Sequence, residues 1–281
     1  MVADAWQSTS VETGRMAAEH DDGMEPLRAR QAVAETLARG AGTRARRFFL
    51  QRDTLRPELK SDSQDLVSEA DRSIEAWLRR AIRRHFPGDG IVGEEEAATE
   101  GTSGFVWVID PIDGTMPFLV GQPNWTVSIG IARGTEPVAG VIYAPMLREL
   151  YSAVADGGAR LNGQTLAMNP DWTVASTTIG FGATQKASPA EVGAFVEGLY
   201  REGGVLFRVG SGALMLAYVA ANRLAGYYDP TLHCWDCWAG MVLVREAGGL
   251  VSFEGDFTRP GPMWAGNATV HAALRRLSGR D

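Results

Sequence analysis

Between Leu27 and Phe49 the apolar positions Leu27, Val33, Leu37 and Ala41 recur at roughly helical spacing among good helix formers and arginines. This predicts a helix over 27–49 with one buried face and a solvated basic face. A sharper stripe, Ile74, Trp77, Leu78, Ile82 and Phe86, predicts a second helix that Asp71 or Ser73 caps and Pro87-Gly88 ends. The pattern then turns to short β-like runs at 105–110, 125–132, 138–143 and 149–154, split by Gly, Pro and charged turns. Spacing this short predicts antiparallel neighbours. Beyond Asn169-Pro170, strand-like segments at 178–181, 205–208 and 224–228 alternate with helical ones at 189–201, 213–222, 235–247 and 269–277. That alternation predicts an α/β arrangement with some parallel pairing. Residues 1–25 carry no sustained period and read as a flexible, solvated extension. The expected organisation is therefore an α+β part over 26–168 with a mainly antiparallel sheet, followed by an α/β part over 169–281.

Composition narrows the class of protein. The chain has 281 residues, 27 Lys+Arg against 34 Asp+Glu and a net charge of −7, which argues against general affinity for nucleic acid or anionic membranes. It contains no apolar run of membrane-spanning length and no basic start followed by an apolar stretch, so a cytoplasmic location is expected. Two cysteines, Cys234 and Cys237, cannot make a disulfide framework. Their CxxC spacing fits a redox or zinc motif, but there is no second Cys pair and the four histidines are scattered. They read as small hydrophobes in a core, with His233 at a rim and Trp238 in the core or an interface.

Acidic clusters stand where regular elements end: Gly93-Glu94-Glu95-Glu96, Asp110-Pro111-Ile112-Asp113-Gly114-Thr115 and Trp235-Asp236. Carboxylates with backbone carbonyls and water are natural ligands for magnesium, whereas zinc would want His or Cys. Pro111 fixes the chain and Gly114 permits an unusual backbone angle, so Asp110 and Asp113 can turn toward one point. The segment Asp113-Gly114-Thr115 is expected to open a helix, whose free N–H groups would seat a phosphate. Each cluster also has an ordinary reading: Asp-Pro-x-Asp-Gly is common turn chemistry, glutamate runs are usually solvated, and Asp236 suits a helix N-cap. The apolar run Phe105 to Ile109 tips the balance, because it would bury the base of the second cluster and aim its carboxylates out of a sheet end.

Four ordered pieces, Asp65-Leu66-Val67-Ser68-Glu69-Ala70-Asp71, Gly93-Glu94-Glu95-Glu96, the stretch from Trp107 to Thr115, and His233-Cys234-Trp235-Asp236 followed by Glu246-Ala247-Gly248-Gly249, resemble the inositol monophosphatase family of magnesium-dependent, lithium-sensitive phosphomonoesterases. The resemblance covers roughly residues 30 to 275. It implies a layered αβαβα sandwich, two to three magnesium ions, a homodimer, and hydrolysis of a small phosphorylated alcohol. By the same resemblance Glu94, Asp110 and the Ile112 carbonyl hold one ion, and Asp110, Asp113 and Asp236 a second. Lys60 and Asp71 join the metal–water network around a third. Thr115, with Glu94, orients or deprotonates the attacking water, and the Gly114 and Thr115 N–H groups bind phosphate. Ser211, Gly212, Asp229 and Asp236 would face the alcohol. Asp229 stands where the family commonly has glutamate, which loosens the assignment to inositol. Trp125 is similar to histidinol-phosphatase members, so histidinol phosphate is the second substrate, with nucleotide or sugar phosphates and an inert regulatory relative behind it.

Overall fold

The computed structural model describes residues 20–52, 58–59, 66–67, 69–184 and 187–280. Its helices are α1 (His20–Leu50), α2 (Glu69–His85), α3 (Thr115–Leu119), α4 (Pro189–Arg201), α5 (Gly212–Ala220), α6 (Cys234–Glu246) and α7 (Ala268–Leu277). Strands are β1 (Glu58–Leu59), β2 (Leu66–Val67), β3 (Gly90–Gly93), β4 (Phe105–Asp113), β5 (Thr126–Arg133), β6 (Glu136–Ala144), β7 (Glu149–Val154), β8 (Gly158–Leu161) and β9 (Gln164–Thr165). After these come β10 (Thr178–Phe181), β11 (Val205–Phe207), β12 (Gly226–Leu232), β13 (Leu250–Phe253) and β14 (Gly261–Gly266).

Alternation along β4 shows how the layers form. Trp107 and Ile109 turn to one face of a sheet ordered β3-β4-β5-β6-β7-β8-β9 and pack with Ala34, Leu37, Ile74 and Leu78 from α1 and α2. Val108, between them, turns to the other face and meets α5 and α6, with Leu216, Cys234, Cys237 and Leu243 around it. Those helices are buried nearly all round because their far side carries the second sheet, ordered β11-β10-β12-β14-β13 and represented in the same core by Tyr227, Met263 and Ala265. On its outer face Phe195 and Leu199 of α4 and Val270 and Leu274 of α7 close a third core over Tyr228 and Trp264. The result is the expected αβαβα sandwich, whose middle helical layer belongs to the core of both sheets.

The first sheet is antiparallel from β4 to β9, as its short turns predict, and has a parallel edge pair in β3 and β4. In the second sheet β10 runs parallel to β11 and β12, while β14 is antiparallel to its neighbours. Helix α1 starts at His20, ahead of the solvated lead-in expected through residue 25, and takes Pro26 into its first turns. Helix α2 starts at Glu69, so Asp71 lies inside its first turn and Ser73 beyond it, neither capping it, and Asp71 is fully buried. No described helix is long and apolar enough to cross a membrane.

Candidate functional site

Strand β4 ends in a bulge. Asp110 pairs with Ser128 and Asp113 with Thr126, so one residue too many lies on the β4 side between them. Pro111, with no N–H to give the ladder, occupies that bulge. The Ile112 N–H donates to Asp110 Oδ1 at 2.9 Å and locks the turn. Gly114 follows with φ 98° and ψ 49°, a left-handed conformation that glycine adopts without strain, and α3 opens at Thr115 as the motif predicts. The Thr115 hydroxyl donates to the Ile112 carbonyl at 3.4 Å.

Asp113 is fixed from the C-terminal half of the chain. Its Oδ2 accepts from the Ser211 hydroxyl at 2.5 Å, the Ala213 N–H at 2.8 Å and the Thr126 hydroxyl at 3.3 Å, and its Oδ1 from the Gly212 N–H at 3.1 Å. Asp113 thus caps α5 across 98 residues of sequence. The Ser211 hydroxyl also accepts from the Leu214 N–H at 3.2 Å, so it orients a carboxylate and caps a helix. A substrate-facing hydroxyl was expected there. Asp236 lies in the first turn of α6, not at its N-cap: the cap is His233, whose N–H donates to Asp236 Oδ2 at 2.9 Å.

Ligand atoms of Asp110, Asp113 and Asp236 lie within 4.8 Å of one another, a grouping that fits a cation among the described residues. Burial, reinforced by the charges of Glu94, Asp113, Asp236 and Asp71, pushes Asp110 far above the carboxylate range. Asp236 is driven the same way by burial and by Asp113 and Glu94, against the His233 N–H. Asp113 also rises, burial outweighing its four donors. These groups resist ionising together because they are buried and repel one another, and an oxygen-rich anionic nest of this kind suits a hard divalent ion. The structure brings together Glu94, Asp110, Ile112, Asp113, Thr115 and Asp236, with Asp71 within electrostatic reach. Lys60 and Asp65 lie outside the described residues.

Beside the acids opens a cavity of about 240 Å³. Gly212, Ser211, Asp113 and Asp236 form its floor, and Thr184, Arg208, Tyr227, Asp229, Thr231 and His233 its wall. Asp229 is recessed, with Oδ2 accepting from the Tyr227 hydroxyl at 2.8 Å and Oδ1 from the Thr231 N–H at 2.9 Å. Burial pushes its carboxyl up to about 7. Arg208 and Thr184 were missed in the sequence, where only their neighbours drew attention. Trp125 does not line the cavity: it is fully buried against Phe49 and Phe118. Cys234 and Cys237 are buried core residues, and Trp238 packs on Phe257.

The model of the inositol monophosphatase family matches residues 27–274. An inositol-1-monophosphatase of Mesorhizobium japonicum is 38% identical over 255 residues, 88% of this chain and 96% of the relative. The Escherichia coli K12 protein named Nus factor SuhB is 39% identical over 251 residues, 86% of this chain and 92% of the relative. Among solved structures, the extragenic suppressor protein SuhB of Bartonella henselae superposes with a TM-score of 0.84 at 31% identity, covering 89% of this chain and 98% of that one.

Proposed function

The chain belongs to the inositol monophosphatase family, and on that premise we propose that it hydrolyses a small phosphate monoester, inositol monophosphate first, with magnesium held by Glu94, Asp110, the Ile112 carbonyl, Asp113 and Asp236. The observation that carries this reading is the convergence of three carboxylates, within 4.8 Å of one another, at the edge of a cavity with polar walls. Magnesium there supplies charge neutralisation and Lewis-acid polarisation for an in-line displacement. Glu94 takes the proton of the attacking water, and Thr115 orients that water, its hydroxyl hydrogen already committed to the Ile112 carbonyl and its lone pairs left to accept. The N–H groups of Gly114 and Thr115, at a helix start, seat the phosphate. Lys60 and Asp71 serve the water network.

On the alcohol side, a cavity of about 240 Å³ falls below the ~300–1,000 Å³ typical of drug-sized sites and suits a compact polyol. Recessed Asp229 reaches a hydroxyl through water or through its remaining lone pairs. Trp125, the residue similar to histidinol-phosphatase members, is buried and makes no wall of the cavity. Phosphate release from inositol monophosphate, histidinol phosphate and a nucleotide phosphate, with and without magnesium and with Asp113→Asn as control, tests the reading. Magnesium-dependent turnover of inositol monophosphate, lost in the variant, is expected. Absence of turnover on every ester would refute it and favour a binding role, for which relatives named Nus factor are the precedent.

A further inference from the structure

A buried ion pair outside the ligand set grips the segment that bears Glu94. Glu75 and Arg79 lie one turn apart on α2, with 0% and 2% of their surfaces exposed. Glu75 Oε2 accepts from the Glu95 N–H at 2.8 Å and Oε1 from the Glu96 N–H at 3.0 Å. Arg79 Nε donates to Glu75 Oε1 at 2.8 Å, Nη2 to the Glu96 carbonyl at 2.8 Å and Nη1 to the Ala97 carbonyl at 3.1 Å. Four backbone groups immediately after Glu94 are therefore bound to one pair. Just before Glu94, Gly93 lies so close to the pair that a Cβ there would come within 2.4 Å of Glu75 Oε1 and 2.9 Å of Arg79 Nη2. Gly93 also pairs with Ile109 in the parallel β3/β4 register, which sets Glu94 beside Asp110. Glu94 is thus pinned on both sides, by the sheet and by the pair.

Burying two full charges is costly, and an apolar pair of similar size would pack α2 as well or better. What an apolar pair cannot do is satisfy two N–H groups and two carbonyls of an irregular loop. A second buried pair supplies the comparison. Arg30 and Asp89 bind at 2.7 Å and 2.8 Å at the opposite end of β3, where Asp89 also accepts from Trp107 Nε1 and Ser103. It joins α1 to the sheet and touches no residue of the acidic site.

We propose that Glu75 and Arg79 are positioning residues, which hold the 94–97 backbone so that Glu94 faces Asp110 and which thereby set the affinity for magnesium. The inference rests on the metal-dependent reading above. Glu75→Gln keeps the shape but turns an amide N–H₂ toward one of the two loop N–H groups and leaves Arg79 with only the half-exposed Glu96 carboxylate at 3.7 Å as counter-charge. Gly93→Ala displaces the loop from the pair with no change of charge. Outer partners of metal ligands typically contribute 10–100-fold to metal affinity.

Titration calorimetry of magnesium into wild type, Glu75→Gln, Gly93→Ala and Asp89→Asn, with urea denaturation of each, decides the matter. Both loop variants are expected to bind magnesium at least about tenfold more weakly, with KM at saturating magnesium unchanged. Asp89→Asn should lose stability and keep wild-type affinity. Gly93→Ala carries the test alone if Glu75→Gln fails to fold. Wild-type affinity in a folded loop variant overturns the inference, and so does an equal loss in Asp89→Asn. Failure of wild type itself to bind magnesium is a distinct result, which overturns the metal reading and this inference with it.

Discussion

Asp113→Asn separates the folding role of this side chain from its charge. At 4.8 Å, the outer separation of ligand atoms among Asp110, Asp113 and Asp236, two like charges repel by about 3–4 kcal/mol at an effective dielectric constant near 20. Neutralising Asp113 removes its share of that repulsion from both partners. Against this, an amide offers one acceptor oxygen where the carboxylate offers two. Its oxygen can stay with Ser211, Ala213 and Thr126, but its N–H₂ then confronts the Gly212 N–H. One buried donor left unsatisfied costs about 1–3 kcal/mol. Asp110 and Asp236 already sit well above the carboxylate range, so only part of the two repulsions is recovered; that part offsets the cost, and in chelator the variant should melt at or above the wild-type temperature. With magnesium the order reverses, since a ligand at a hundredfold excess over its Kd stabilises the native state by about 2.7 kcal/mol. For a chain of this size that is roughly 5 °C. Calorimetric melting of both proteins in EDTA and in magnesium, beside phosphate release, measures the crossing. A magnesium shift as large in Asp113→Asn as in wild type would refute the reasoning. So would a variant several degrees less stable in EDTA, which would make Asp113 a structural cap whose charge is not crowded.

Two further outcomes follow from the surroundings of the site. The Asp229 carboxyl titrates near 7 in the fold against 3.8 for the free side chain. Wild type therefore bears no penalty from this group below about pH 4, and its stability falls as pH rises toward 7 because the unfolded chain releases the proton first. The loss from pH 5 to 8 is about 2–3 kcal/mol. Asp229→Asn should remove that part of the slope in urea denaturation, and an unchanged difference between the two pH values would contradict the assignment. Burial pushes Cys234 up to about 12 and Cys237 well above the ordinary thiol range. At pH 8 iodoacetamide should therefore label neither thiol in the native protein and both after denaturation, whereas rapid native labelling would restore the redox reading.

The legible parts of this chain were those whose cause is local. The α2 stripe of Ile74, Leu78 and Ile82 follows a helical period that burial confirms, and the apolar run from Phe105 to Ile109 is a strand buried on both faces. The bend at Pro111 and the left-handed Gly114 follow from residue type alone. Elements without a period were missed. Strand β3 is Gly90-Ile91-Val92-Gly93 and β14 runs Gly261-Pro262-Met263-Trp264-Ala265-Gly266, so glycine and proline hide the strand pattern in both. Non-local causes were also invisible. Ser211 reads as a pocket hydroxyl and does line the cavity, but its bond to Asp113, far away in sequence, has no local signal. Glu75 and Arg79 read as a polar face of α2, although in the fold that face is covered by the loop bearing Glu94. Of the glutamate triplet, Glu94 acts on the charge of Asp110 and Asp236, while Glu95 and Glu96 contribute backbone groups to the clamp.

The same acids show why the fold and the chemistry are linked. Asp71, Asp113 and Asp236 each stand at the first turn of a different helix, α2, α5 and α6, where the positive end of the macrodipole and free N–H groups favour a negative charge. A helix start stabilises an anion by about 0.3–1 kcal/mol, rising to ~2 in a partly buried geometry. Three such starts together give at most about 6 kcal/mol. Three mutual repulsions among Asp110, Asp113 and Asp236, at about 3–4 kcal/mol each, already exceed that before burial is counted. The helices therefore suffice to aim the carboxylates and not to neutralise them, which is why Asp110 and Asp236 are pushed so far up despite good hydrogen bonds. Negative charge gathered in this way favours a bound cation, and under the proposed reading an anionic ester approaches this acidic chain once such a cation is in place.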